Sequence, residues 1–220
     1  MHYWKQLIIF LERVYFLLKN IGHLSFVPIV LVNIIIPVLT YFAYNKYGFA
    51  NEFYQHISEL TQIFIPFSSI WCPILILKEF IDSNGNEILL MGKKKKSSLI
   101  IAMIFLFFCC NVTILYIVFH FAFSLSFIEL LKILLVSMFY LGTMVLCANI
   151  TQNTSITILL LVLYTLSNFI FYKFQGIFPF YYTNVETTEI IILRNSLPLA
   201  LIGILEFITG TCMKIKLKNN

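Results

Sequence analysis

Asp82 to Lys96 reads D-S-N-G-N-E-I-L-L-M-G-K-K-K-K, a polar stretch with a cationic end, set between two apolar runs long enough to span a membrane. Asn84 and Glu87 stand in capping-box spacing. That spacing predicts a short helix starting at Gly85, with the Glu87 side chain reaching back to an orphan backbone N–H. The apolar block Ile88-Leu89-Leu90-Met91 follows, then Gly92 and four lysines. A short helix with an apolar body and a cationic stop is shaped to lie on a surface. Lys93 to Lys96 predict that this surface is cytoplasmic.

Outside this stretch the chain is mostly lipid-soluble. Of 220 residues, 60% are hydrophobic and 11% charged, with a mean hydropathy of +0.91. A soluble domain carries about 25% charged residues, so this composition cannot cover a water-facing surface. The net charge of +5 does not point to nucleic acid, because the basic residues sit at the edges of apolar runs and not on one face. The five cysteines Cys72, Cys109, Cys110, Cys147 and Cys212 lie in or beside apolar runs without a C-x-x-C, and read as small buried or lipid-facing residues.

The expected fold is all-α: one transmembrane domain over residues 1–220 with six spanning helices. Residues 1–20 predict an interfacial amphipathic helix. Lys5, Glu12 and Lys19 recur every seven residues on one side, and Trp4, Leu7, Ile8, Leu11, Tyr15 and Leu18 lie on the other. Glu12-Arg13 and the lack of a small-residue cleavage site argue against a signal peptide. The spans are expected at Leu24–Tyr44, Glu59–Leu77, Leu99–Phe119, Phe127–Cys147, Ile156–Tyr172 and Leu197–Met213. Each approaches the roughly 20 residues needed to cross about 30 Å of hydrocarbon. Pro37 should kink the first span, and Pro66 and Pro73 fall in the second. Spans 1 and 2 thus occupy 24–77, the cytoplasmic loop 78–96, spans 3 to 5 97–172, an outer segment 173–195, and the last span with its basic tail 196–220.

Lysine and arginine placement orients the chain. With the N-terminus inside, Lys5, Arg13, Lys19, Lys78, Lys93 to Lys96, Lys214, Lys216 and Lys218 are cytoplasmic, eleven of the fifteen basic residues. Lys46, Lys132, Lys173 and Arg194 remain outside. The expectation is a multi-pass protein of the cell membrane with both termini in the cytoplasm. The segment 173–195 holds two greasy stretches, Gly176 to Tyr182 and Ile190 to Leu193, around polar Thr183 to Glu189. Two short helices dipping back into the outer leaflet fit this pattern, and so does an ordinary aromatic interfacial belt.

Few residues carry chemistry. Gly85, Gly92-Lys93 and Ser97 fail as a phosphate loop: the glycines are too far apart, no Ser or Thr follows the lysine, and no strand precedes. His2, His23, His56 and His120 lack metal-ligand spacing and read as interfacial. No nucleophile elbow, zinc motif or carboxylate pair supports an enzyme. Glu129 and Lys132 stand one turn apart at the outer start of the fourth span, as a local pair. Glu206 lies inside the sixth span, where an ionisable group is costly. It reads either as a carboxylate hydrated from the cytoplasmic side or, with Phe178 and Phe180 of the outer segment, as part of a pathway or gate.

Glu79 to Lys93, E-F-I-D-S-N-G-N-E-I-L-L-M-G-K, resembles the loop between the second and third spans of ABC-type exporter permeases of the O-antigen, multidrug and lantibiotic-immunity kind. Asp82, Gly85, Glu87, Leu89 and Leu90 occupy the places of that family's acidic residue, glycine, glutamate and leucines. Met91-Gly92 stands where the family usually has proline. The resemblance implies that Asp82, Gly85, Glu87, Ile88, Leu89 and Leu90 form a coupling helix docking on a cytoplasmic ATPase subunit, and that the N-terminal helix contacts the same partner. It implies a second copy or a related permease subunit to complete the pathway, with membrane lipid around both. ATP and Mg would be bound by the partner ATPase, leaving this chain no enzyme and without a cofactor of its own. The substrate would be an antimicrobial peptide, lipid or drug. The competing readings are a scaffold or sensor that transports nothing and, less well supported, an intramembrane enzyme.

Overall fold

The computed structural model describes residues 19, 22–81, 94–171 and 189–213. Among them there is no strand. Six helices are long and apolar enough to cross a membrane: α1 (Gly22–Tyr47), α2 (Asn51–Lys78), α3 (Ser98–Phe123), α4 (Phe127–Thr151), α5 (Thr154–Phe171) and α6 (Ile192–Cys212). These make the chain a multi-pass helical membrane protein, as composition required.

The helices run further than hydropathy alone marks them. Residues 45–58, expected as a polar loop, shrink to Gly48, Phe49 and Ala50, because α2 is already helical at Asn51. The reason is a buried face at i, i+4 spacing. Phe53, Ile57, Thr61 and Ile65 point inward with 0–1% exposure, joined by Gln62, while Gln55 and His56 face out. The gap between the expected fourth and fifth spans likewise contracts to Gln152 and Asn153. Gln152 takes a left-handed φ of 51° and ends α4, and Asn153 Oδ1 caps α5 by accepting from the amides of Ser155 and Ile156 at 2.9 and 3.2 Å. Of the outer segment, the described residues from Glu189 on are helical and continuous with α6.

Proline shapes three of the helices. A π-turn at Leu31–Ile35 precedes Pro37, and another at Ile192–Ser196 precedes Pro198. Proline has no N–H to give and its ring crowds the carbonyl four residues back. A locally widened turn relieves that crowding without ending the helix. Pro37 therefore acts through this π-turn rather than by a simple break. In α2 the helix lapses at Ile70, between Asn51–Ser69 and Trp71–Ile81, where Pro73 deprives Ser69 of an amide partner. Ser69 Oγ donates to the Pro66 carbonyl at 2.6 Å. Trp71 Nε1 donates to the Leu24 carbonyl at 3.1 Å, tying this joint to the start of α1.

Two core clusters stack along the bundle axis. One joins Val32 and Ile36 of α1, Phe53 and Ile57 of α2, Val112 to Phe119 of α3 and the first turns of α4. The other joins the far half of α2, Ile100 to Phe105 of α3, Val136 to Ala148 of α4, Leu161 of α5 and Leu199 of α6. Helices α2 and α4 are central. Helix α6 buries Leu199, Ala200, Gly203 and Gly210 and exposes Leu201, Ile202, Leu205 and Ile208, as a lipid-facing helix must.

Candidate functional site

Gly142 in α4 and Gly203 in α6 let two backbones touch. A Cβ on Gly142 would meet Gly203 Cα at 2.7 Å, and one on Gly203 would meet Met138 O at 2.7 Å and Phe139 N at 2.8 Å. Seven residues on, Gly210 lies against the Leu146 backbone, where an added Cβ would find it at 3.0 Å. The partners advance together in number, so α4 and α6 run parallel, with a small-residue seam from Phe139–Gly203 to Leu146–Gly210. Lipid tails are as apolar as leucine, so helices in a membrane gain little by hiding leucines. Close packing over small residues and polar contacts across the seam hold them instead.

Glu206 sits on this seam, one turn beyond Gly203. Its carboxylate Oε2 accepts a hydrogen bond from Thr143 Oγ1 at 2.6 Å. Cys147 and the Tyr164 ring of α5 lie within electrostatic reach of it. Tyr164 stacks near Phe139 at 5.3 Å and near Tyr140 at 5.9 Å, and the Tyr140 hydroxyl shares a 2.8 Å hydrogen bond with Thr165 Oγ1. The result is a polar seam linking α4, α5 and α6: Thr143 and Glu206 half-buried, Tyr140 fully buried, Thr165 and Asn168 nearly so. A carboxyl group so placed can hold a proton or a polar ligand group and is fixed in position by Thr143. Among the described residues no three His, Cys, Asp or Glu side chains gather as metal ligands.

A second polar layer crosses the other half of the bundle. Lys132 of α4 is fully buried and Glu129 is 8% exposed, and the two charges interact electrostatically. Beside them lie Thr61 of α2 and Tyr116 of α3, both at 2% exposure or less. The Tyr116 hydroxyl is hydrogen-bonded to Thr61 and feels the Glu129 charge. The pair read from spacing alone is thus enclosed by three helices. The signal for that enclosure was present: Ser58, Thr61 and Gln62 form a polar stripe at helical spacing, and Gln62 Nε2 reaches Ser58 Oγ.

Of the candidate coupling and pathway residues, Glu206 is the one among the described residues. Asp82, Gly85, Glu87, Ile88, Leu89, Leu90, Phe178 and Phe180 lie outside the described residues, as do residues 1–18, expected as an interfacial helix, and the basic residues from Lys214. Thr143, the partner of Glu206, was missed. Its marker is the Gly142-Thr143 pair in α4 facing the seven-residue repeat Gly203…Gly210 in α6. No protein-family model, no curated protein and no solved structure matches this chain.

Proposed function

We propose that this chain is the membrane subunit of an ATP-driven exporter of a hydrophobic or amphipathic substrate, driven by a separate cytoplasmic ATPase. The observation that carries the reading is the sequence from Asp82 to Lys96, placed between two helices that emerge from one end of the bundle. Helix α2 continues to Ile81, and the helix containing α3 begins at Lys94. The intervening residues therefore join two rigid levers, which is what a motor-driven foot requires. Gly85 to Gly92 is the docking helix in this reading, with Glu87 and Ile88 to Leu90 facing the ATPase. Both termini lie in the cytoplasm, and a second copy or a sister permease supplies the other half of the pathway.

Glu206 is the pathway residue. A half-buried carboxyl on a seam between two helices is placed to respond when those helices shift.

Affinity purification of the tagged full chain from its host is expected to bring down an ATPase subunit. Glu87→Ala is expected to lower substrate-stimulated ATP hydrolysis at least several-fold while leaving the membrane chain folded. Unchanged assembly and unchanged stimulated hydrolysis in Glu87→Ala would overturn the coupling assignment. Absence of any ATPase from the complex favours the scaffold or sensor reading.

A further inference from the structure

A cavity of about 790 Å³ opens between the start of α1, the joint of α2 and the middle of α3. That volume suits one small amphiphile or one lipid chain with part of its headgroup. Phe26, Ile29, Met103 and Phe107 line it and are themselves exposed at the bundle surface, so the cavity is entered from the lipid. The deep wall is Ser68, Ser69 and Pro73 of α2. Along α3 the lining runs from Met103 to Asn111, about 12 Å at about 1.5 Å per residue. One leaflet of hydrocarbon is about 15 Å deep, half of the whole core. The slot is therefore close to one leaflet in length, the reach of a single acyl chain.

Its mouth is cationic. Lys19 and His23 line the interfacial end, and no carboxylate is among the described lining residues. The floor under the mouth is fixed: Gly22 turns the chain with φ +65°, Ser25 Oγ donates to the Gly22 carbonyl at 2.8 Å, and Trp71 and Cys72 donate to the carbonyls of Leu24 and Ser25. Charge, depth and an apolar wall converge on one occupant. We infer that this slot is a binding site for a glycerophospholipid with an anionic headgroup, one acyl chain lying against Ile29 and Met103 and the phosphate held at Lys19 and His23. The site is independent of the exporter reading and lies apart from the Glu206 seam, so either can fail without the other.

Trp71 reports on the slot, since it borders the lining and is bonded to the α1 start. With Trp4→Phe in place, Trp71 is the only tryptophan left. Its emission in nanodiscs is expected to be quenched saturably by acyl-brominated phosphatidylglycerol, at a several-fold lower mole fraction than by brominated phosphatidylcholine. Lys19→Gln with His23→Gln should bring the two lipids to the same midpoint. Ile29→Phe with Met103→Phe should abolish saturation for both. Glycerol phosphate in solution should compete for neither, which separates a membrane lipid from a free phosphate ligand. Native mass spectrometry of the unmodified full chain should retain one anionic lipid in preference to a zwitterionic one. Equal quenching by the two lipids in the unmodified protein, or no lipid retained, would reduce the slot to ordinary lipid-facing surface and overturn the inference.

Discussion

The α4–α6 seam and the aromatic end of the bundle hold helices together by opposite means. At the seam, Gly142, Gly203 and Gly210 remove side chains so that backbones touch, and a single 2.6 Å hydrogen bond from Thr143 to Glu206 crosses the contact. At the other site, large rings fill the space. Phe53 packs within 5.3 Å of Phe123 and 5.7 Å of Tyr44, and Phe119 stands 5.9 Å from Phe123. The difference follows from what each helix has to offer. Helix α6 faces lipid on most sides, so burying its leucines gains little and only close approach secures it. Helix α2 is enclosed, so interlocking side chains secure it. A seam of glycines tolerates added volume badly, whereas a knot of rings tolerates removed volume badly.

That contrast can be broken at both ends. The largest effect is expected for Gly203→Leu, because the new side chain collides with backbone on α4, which has no rotamer to yield. Destabilisation beyond about 3 kcal/mol is expected, seen as loss of the monodisperse species and of cooperative thermal unfolding in detergent. A well-folded Gly203→Leu protein would show that the seam is not close-packed. Next is Phe53→Ala, which removes roughly 100 Å³ of ring and should cost about 2 kcal/mol from the cavity alone. If Phe53→Ala were harmless while Tyr44→Ala was severe, the knot would be centred elsewhere.

Gly210→Ala sharpens the seam side. Its added methyl meets the Leu146 backbone at 3.0 Å, a clash the helices can relieve by a small shift, so about 1 kcal/mol is expected. A cost matching that of Gly203→Leu would mean the seam is rigid along its whole length. The smallest effect is expected for Thr143→Val, about 0.6 kcal/mol, the usual worth of a hydrogen bond between membrane helices. Its value is in the pairing: Thr143→Val combined with Glu206→Leu should cost little more than Glu206→Leu alone, because both changes remove the same contact. Additive losses would dissolve the proposed pair.

Much of the fold was legible in the chain. Six apolar runs of spanning length and basic residues at their edges are local properties, visible one segment at a time. The loops were less legible. Residues 51–58 are polar, yet they continue α2 because Phe53 and Ile57 keep its buried face in register. Glu206 stood out as a charge in an apolar run, whereas Thr143 did not, since a threonine in a membrane helix is ordinary until something faces it. Lys132 with Glu129 was visible as a pair, but not the Thr61 and Tyr116 that lie beside it.

By itself, then, the amino-acid order determined the solvent: a chain this apolar must be helical in lipid, with its crossings set by length. Which helix meets which, that α6 runs parallel to α4 glycine to glycine, and that a slot opens beneath the α1 start were decided by the packed bundle alone. The reason is physical. A helix apolar on every side carries no stripe to mark its inner face, so its neighbours are selected by shape and by a few polar contacts that exist only once the helices have come together.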